Sequence, residues 1–395
     1  MRIPILQKAF ATARFAENAP VKRNHRIGIP RVLNQWSTHR FWTTFFVELG
    51  VKRRDVIYSS ETSEAQQLKY GKGRGAVDCC YPVKCMTGHY GELLTGLKRP
   101  IDILFSPIIL TVPSILQGNV RENMACPRVI AGPESTCAGF RRESDVFDEL
   151  GIAYVSPAVS LAEPPIAKKQ LYDAFKDIFE GITPKEVANA VDCAYAALND
   201  FNTDLRKRSL EILASCAAEN RPCILALGRP YHMDTGLGHT IESELQSFGY
   251  PILWGQYLPL DQPVLDWLYT DLIASGRIRN AFDISDIWKT SHSANTNEIL
   301  WAARYGSLMP WVTCVVRFSS YECGMDQPTY SPVQAITESL GTLFFVFQDL
   351  DETKPAGSVR IRVETIAYYL ERKSPDIMKK KLQALQAAPP EVILQ

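Results

Sequence analysis

The stretch Cys223-Ile224-Leu225-Ala226-Leu227-Gly228-Arg229-Pro230-Tyr231-His232-Met233-Asp234-Thr235-Gly236-Leu237-Gly238-His239 decides the fold class. Its apolar start reads as a strand, and the glycine-bearing polar turn that follows opens a helix over Thr240 to Phe248. A second strand, Tyr250-Pro251-Ile252-Leu253, follows directly, and this β-α-β rhythm is that of a parallel sheet. The pattern continues with helices near Asp261 to Ala274 and over Asn295 to Tyr305, a strand Val312 to Phe318, a helix Pro332 to Leu340, a strand Leu343-Phe344-Phe345-Val346 and a helix Arg360 to Arg372.

Working towards the N-terminus, the same alternation recurs. Ile27-Gly28-Ile29 precedes an aromatic helical stretch, His39 to Phe46, that ends near Gly50. Strand-like Asp55-Val56-Ile57-Tyr58, a helix near Val83 to Lys98, and apolar runs at Ile101 to Phe105 and Arg128-Val129-Ile130 complete it. Between these halves the 3.6-residue period over Lys169 to Ile178 and Pro184 to Ala218 predicts a helical bridge. The expected organisation is an arm over 1–25, a first α/β domain over 26–157 with Cys80 and Cys126, a helical bridge over 158–220, a second α/β domain over 221–373 with Cys323, and a tail over 374–395.

Forty-three basic residues balance forty-three acidic ones in 395 residues, so no net field favours nucleic acid. No apolar run reaches the roughly 18 to 20 residues of a membrane helix, and the basic N-terminus lacks the apolar core of a secretory signal. A cytoplasmic protein is expected. Ten cysteines without a secretory signal point to a reducing compartment, where metal binding or burial must account for them.

Three cysteines share a local pattern: Asp78-Cys79-Cys80-Tyr81-Pro82-Val83-Lys84, Met124-Ala125-Cys126-Pro127 and Glu322-Cys323-Gly324-Met325-Asp326. Each lies just past a strand or just before a helix, and ligand sites of open α/β sheets lie outside the carboxyl ends of strands. Thiolate is the soft ligand of iron–sulfur clusters, which usually take four; three would leave one iron open. No Cys-x-x-Cys pair occurs, and a lone cysteine is more often a small buried hydrophobe than a ligand. Cys79, Cys85, Cys137 and Cys314 are possible extra ligands, whereas Cys193, Cys216 and Cys223 lie on core patterns. In the segment Gly228 to His239, the residues Arg229, Tyr231, His232 and Asp234 read as anion-binding or as neighbours of a cluster, or else as a polar turn with a helix cap at Asp234 or Thr235. Lys84 and His89, on the helix after Cys80, stand for the same supporting role or for a solvated face. No G-x-x-x-x-G-K-[ST] loop is present, so nucleotide hydrolysis is not expected of this chain.

Together Gly28-Ile29-Pro30-Arg31, Cys80-Tyr81-Pro82-Val83-Lys84, Ala125-Cys126-Pro127, Gly228-Arg229-Pro230-Tyr231-His232, Cys323-Gly324-Met325-Asp326 and Gly357 to Thr365 resemble the cysteine-bearing module of the 2-hydroxyacyl-CoA dehydratase and benzoyl-CoA reductase-like superfamily. The nearest likeness is to the C-terminal part of large acyl-CoA dehydratase activase fusion proteins. The resemblance implies two Rossmann-like parallel-sheet domains with a cluster site in the crevice between them, and Cys80, Cys126 and Cys323 as ligands of a 4Fe-4S cluster, with a double-cubane cluster as the alternative. It further implies an oxygen-sensitive, homo- or hetero-oligomeric protein of anaerobic metabolism, reduced in trans by an ATPase activator carrying its own iron–sulfur cluster. The functional expectation is an electron-accepting component that reduces a small substrate; the alternative is a non-catalytic scaffold or maturation factor that carries or assembles a cluster for another enzyme.

Overall fold

The computed structural model describes residues 22–75, 79–289, 291–320, 322–350, 356–385 and 387–394. Most of the arm expected over 1–25 thus lies outside the described residues. The chain forms two compact units, each α/β. The first comprises Met1–Val77, Val83–Leu110 and Arg128–Phe201; the second comprises Asp78–Pro82, Thr111–Pro127 and Asn202–Gln395.

The first unit contains β1 (Ile27–Ile29), β2 (Val56–Tyr58), β3 (Ile103–Phe105) and β5 (Ala153–Val155), the last following a separate strand β4 (Ile108–Thr111) that pairs with β6 (Ala158–Ser160). Its main sheet has the order β2-β1-β3-β5, with every pairing parallel. The helix His39–Glu48 is buried from His39 through Val47, with Phe41, Trp42, Phe45 and Phe46 gathered on one side and the polar Thr43 hydroxyl bonded to the His39 carbonyl at 2.8 Å. Trp42 and Phe46 each meet Phe105 of β3 at 5.0 Å between ring centroids, and Phe46 meets Phe175 at 5.5 Å. Edge-to-face rings of this kind fix the helix on the sheet.

The helix Met86–Gly91 packs against the turn Gln67–Gly71, where Gly88 N–H donates to Gln67 Oε1 at 3.0 Å. Gly91 is needed there, since an added Cβ would run into the backbone carbonyl of Tyr70. Gly91→Ala should therefore cost about 1–3 kcal/mol, the usual range for overpacking; an unchanged urea midpoint would remove this explanation of the glycine.

The second unit holds β7 (Cys223–Leu227), β8 (Ile252–Trp254), β9 (Val312–Phe318) and β10 (Leu343–Phe347), in the order β10-β9-β7-β8 and all parallel. Both main sheets thus have the strand order of a doubly wound Rossmann-like unit, in which the chain leaves the first strand to one side and returns on the other. The two-Rossmann expectation holds. β7 and β9 are buried at every residue, and the helix Ala294–Leu308 packs on them with Trp301 and Tyr305 wholly enclosed.

Three local expectations are corrected. Arg128-Val129-Ile130 belongs to the helix Pro127–Arg141, because a proline suits the first helical position, where its missing N–H is not needed. The expected bridge over 158–220 is not a body of its own, for the helix Pro184–Ala218 begins in the first unit and ends in the second. The tail expected over 374–395 starts inside the helix Ala356–Ala384, which runs through Pro375. Among the described residues no helix is long and apolar enough to cross a membrane.

Candidate functional site

In the second unit β7 and β9 are neighbours, with Leu227 beside Arg317, although β8 lies between them in sequence. This is the topological switch point, where the loops after the two strands diverge and leave a crevice at their carboxyl ends. The loop after β7 carries Arg229 to Thr240, and the loop after β9 carries Ser319 to Asp326.

The first loop is locked from within. Arg229 N–H donates to His232 Nδ1 at 3.0 Å, so that nitrogen is an acceptor and the ring proton sits on Nε2. Burial, together with the Arg229 charge, outweighs the pull of Asp326 and lowers the His232 pKa to about 4, so the ring is neutral near pH 7. Gly228 leaves room for that ring, since an added Cβ would stand 3.0 Å from His232 Nδ1. Asp234 Oδ1 accepts from Gly236 N–H at 2.9 Å and so holds the turn, which is the polar-turn reading of that residue. His239 and Thr240 both take left-handed backbone, with φ of +48° and +59°, a conformation costly for residues other than glycine.

Across the switch point lies a buried ionic group. Arg229 Nη2 donates to Asp326 Oδ1 at 3.0 Å, and Ser319 Oγ donates to Asp326 Oδ2 at 2.7 Å. Arg317, from the end of β9, stands 3.7 Å from the same carboxylate and donates to Thr329 Oγ1 at 2.6 Å. All three charged side chains are at most 2% exposed. Burial alone would raise the Asp326 pKa, but Arg229, Arg317 and Ser319 outweigh it and hold the carboxylate ionised. Arg229 Nε and Nη1 and Arg317 Nε and Nη1 make no hydrogen bond among the described residues. The group thus encloses two guanidinium ions and one carboxylate.

Cys80, Cys126 and Cys323 all belong to this second unit, although the sequence assigns two of them to the first domain. Arg229 Nη2 lies 3.9 Å from Cys323 Sγ and feels the Cys126 sulfur as well. The Tyr231 hydroxyl is held protonated first by burial; Arg229 opposes this, while Cys80, Cys126 and Cys323 all add to it. Three thiols from three separate stretches therefore act on one phenol. Cys126 follows Met124, whose N–H and C=O pair with His292 and Ala294 at 2.9 and 3.0 Å, beside the start of the helix Ala294–Leu308. The Tyr81 ring, next to Cys80, lies 5.7 Å from that of His239. Cys80 and Cys126 are 7% and 8% exposed, and Cys323 is half-buried, its thiol pushed up by burial against the pull of Arg229.

The other candidates sort by unit. Cys79 is half-buried beside Cys80. Cys85 and Cys137 are buried in the first unit, the Cys137 thiol pushed up by burial. Cys314 is enclosed in the middle of β9, and burial raises its thiol too. Lys84 and His89 are also in the first unit, where His89 is bonded to Ser59 Oγ at 2.8 Å and Thr62 Oγ1 at 3.0 Å. His89 therefore reads as a satisfied core histidine. Among the described residues no group of three or more His, Cys, Asp or Glu side chains is arranged to hold a metal ion. Sequence reasoning missed Arg317 and the part played by Asp326. The available signal was an arginine inside an otherwise apolar strand.

No curated protein matches the chain. A family model described as the CoA enzyme activase uncharacterised domain matches residues 26–258, which take in Cys80, Cys126 and Arg229 and stop short of Cys323 and Asp326. This match overturns the expectation of an electron-accepting component that reduces a small substrate, and with it the alternative of a cluster scaffold, because it places the chain with the activases and not with the enzymes they serve. The family model spans more than half of the chain, and the protein belongs to the CoA enzyme activase domain family.

Proposed function

We propose that this chain is an activase domain that switches on a CoA-utilising enzyme in trans, and that Cys80, Cys126 and Cys323 are where such a domain would hold a 4Fe-4S group. The observation that carries the reading is that Cys80, Cys126 and Cys323 fall in one unit though drawn from three stretches, with Arg229 Nη2 3.9 Å from Cys323 Sγ. The buried guanidinium nitrogens with no hydrogen bond face a negative group more favourably than an empty or neutral one. The six motifs shared with the dehydratase and reductase-like superfamily, and with the activase fusion proteins, agree with this donor set. A double cubane is disfavoured by the enclosure of Cys314 within β9.

Anaerobic purification with iron and sulfide analysis tests the reading. About four irons per chain are expected, with most of the iron lost in Cys126→Ser and the fold retained by circular dichroism. The loaded protein should also raise the activity of a CoA-utilising enzyme from the same organism, and the Cys126→Ser protein should not. A chain that stays colourless and iron-free after reconstitution would sink the proposal.

A further inference from the structure

The helix Ala356–Ala384 of the second unit turns one side inward, where Val359, Val363, Ile366, Leu370 and Ile377 are buried. Its outer side is not simply polar. Three of the ten large apolar side chains exposed among the described residues stand on it within nine positions: Ile361 at 67%, Tyr368 at 49% and Tyr369 at 42%. Tyr369 continues the patch toward Phe345 of the edge strand β10, with 6.1 Å between ring centroids. Exposed apolar surface gathered in one place and rimmed by charge marks an interaction surface. The charges then decide which partner fits. Side chains four positions apart form a ridge along a helix, and the exposed ridge through Tyr368 reads Arg360, Glu364, Tyr368, Arg372 and Asp376. Arg360 Nε lies 3.0 Å from Glu364 Oε1, and the Arg372 guanidinium lies 4.4 Å from the Tyr368 ring centroid, so these side chains are laid along the ridge.

We infer that a second copy of this chain docks on this side of the helix Ala356–Ala384, with the two helices antiparallel about Tyr368. The sign order along the ridge is plus, minus, ring, plus, minus. Turned end for end about Tyr368 it becomes minus, plus, ring, minus, plus, so every charge meets its opposite. Glu364 of each copy faces Arg372 of the other, Arg360 faces Asp376, and the Tyr368 rings meet on the axis. A two-fold axis imposes this reversal, since residue i of one copy then meets residue j of the other and j meets i. The same helices laid parallel in register would set like charges against each other, which is unfavourable. From Arg360 to Asp376 the ridge is about 24 Å long at 1.5 Å per residue. A contact of that extent belongs with the small interfaces of transient complexes, and the dimer should form and dissociate with concentration. The inference does not depend on whether the thiols bind a group.

The test is sedimentation equilibrium of the full chain between about 1 and 100 μM, where a monomer–dimer equilibrium weakened by added salt is expected. Glu364→Arg and Arg372→Glu should each raise the dissociation constant roughly tenfold or more, because each sets like charges face to face at two places. Both positions are exposed, so the thermal melt of either variant should match that of the wild type. Mixing the two variants should restore the dimer, since one chain then carries arginine at both positions and the other carries glutamate at both. Joining both substitutions in one chain should restore it as well. A protein that stays monomeric at every concentration overturns the inference. So does a dimer that neither substitution weakens, and so does a mixture of the two variants that remains monomeric.

Discussion

Lys381→Met should cost the second unit about 3–5 kcal/mol, because it removes a buried cation from three backbone acceptors at once. The Lys381 ammonium is fully enclosed and donates to the carbonyls of Gly306, Met309 and Val312 at 2.7, 3.1 and 2.6 Å. Gly306 lies in the last turn of the helix Ala294–Leu308, and Val312 begins β9, so one side chain satisfies both the end of a helix and the turn into the central strand. Burial drives the ammonium toward its neutral form, with the Cys223 and Cys314 thiols pulling the other way. Three acceptors match the three protons of the charged form and not the two of the neutral amine. Methionine keeps the length and apolar stem but takes this donor from all three carbonyls, of which that of Met309 still accepts from Val312 N–H at 3.2 Å. Urea unfolding followed by tryptophan fluorescence checks this, and a loss below about 1 kcal/mol would mean that water or another donor replaces the ammonium.

Acidification should destabilise the protein well before its carboxylates titrate. In the first unit, burial lowers His39 to about 3, aided by the Arg40 charge, and lowers His89 to about 3, aided by Arg31. Both imidazoles ionise near pH 6.5 once unfolded. Between pH 6.5 and about 3 the unfolded chain thus binds more protons than the folded one, and stability falls as pH falls. From pH 7 to 4.5 the two rings together account for roughly 5 kcal/mol. Chemical denaturation across that range should show the slope, and His89→Gln should flatten it by about one proton while lowering stability at pH 7. A slope unaltered by that change would show that His89 is protonated in the native state.

The fold class was legible where burial and period agree. β7, β9 and the helix Pro184–Ala218 begin and end where the apolar pattern does. Strands of three residues such as β5 carry too little pattern to announce themselves. At Pro375 the sequence argues for a stop, yet the helix continues because Ser374 Oγ bonds Thr313 Oγ1 at 2.8 Å and Lys381 anchors the next turns. The site was legible in part. Arg229 follows a strand and a glycine, which marks it as a loop residue at a sheet end. Its pairing with Asp326, 97 positions later, depends on β7 and β9 being neighbours, and local pattern cannot show that. Function was less legible still, since thiol-rich loops serve activases and the enzymes they switch on alike.

The second unit takes its cysteines from three stretches, two of them lent from the midst of the first. On the ribosome Cys80 and Cys126 emerge long before Cys323, and domains generally fold as units during synthesis. The second unit cannot be completed until translation has passed Cys323, so a truncated or stalled nascent chain holds Cys80 and Cys126 without β9 and its loop. Splitting the gene near residue 201 would therefore put Cys80 and Cys126 on one fragment and Cys323 on the other, and neither fragment would carry the whole second unit.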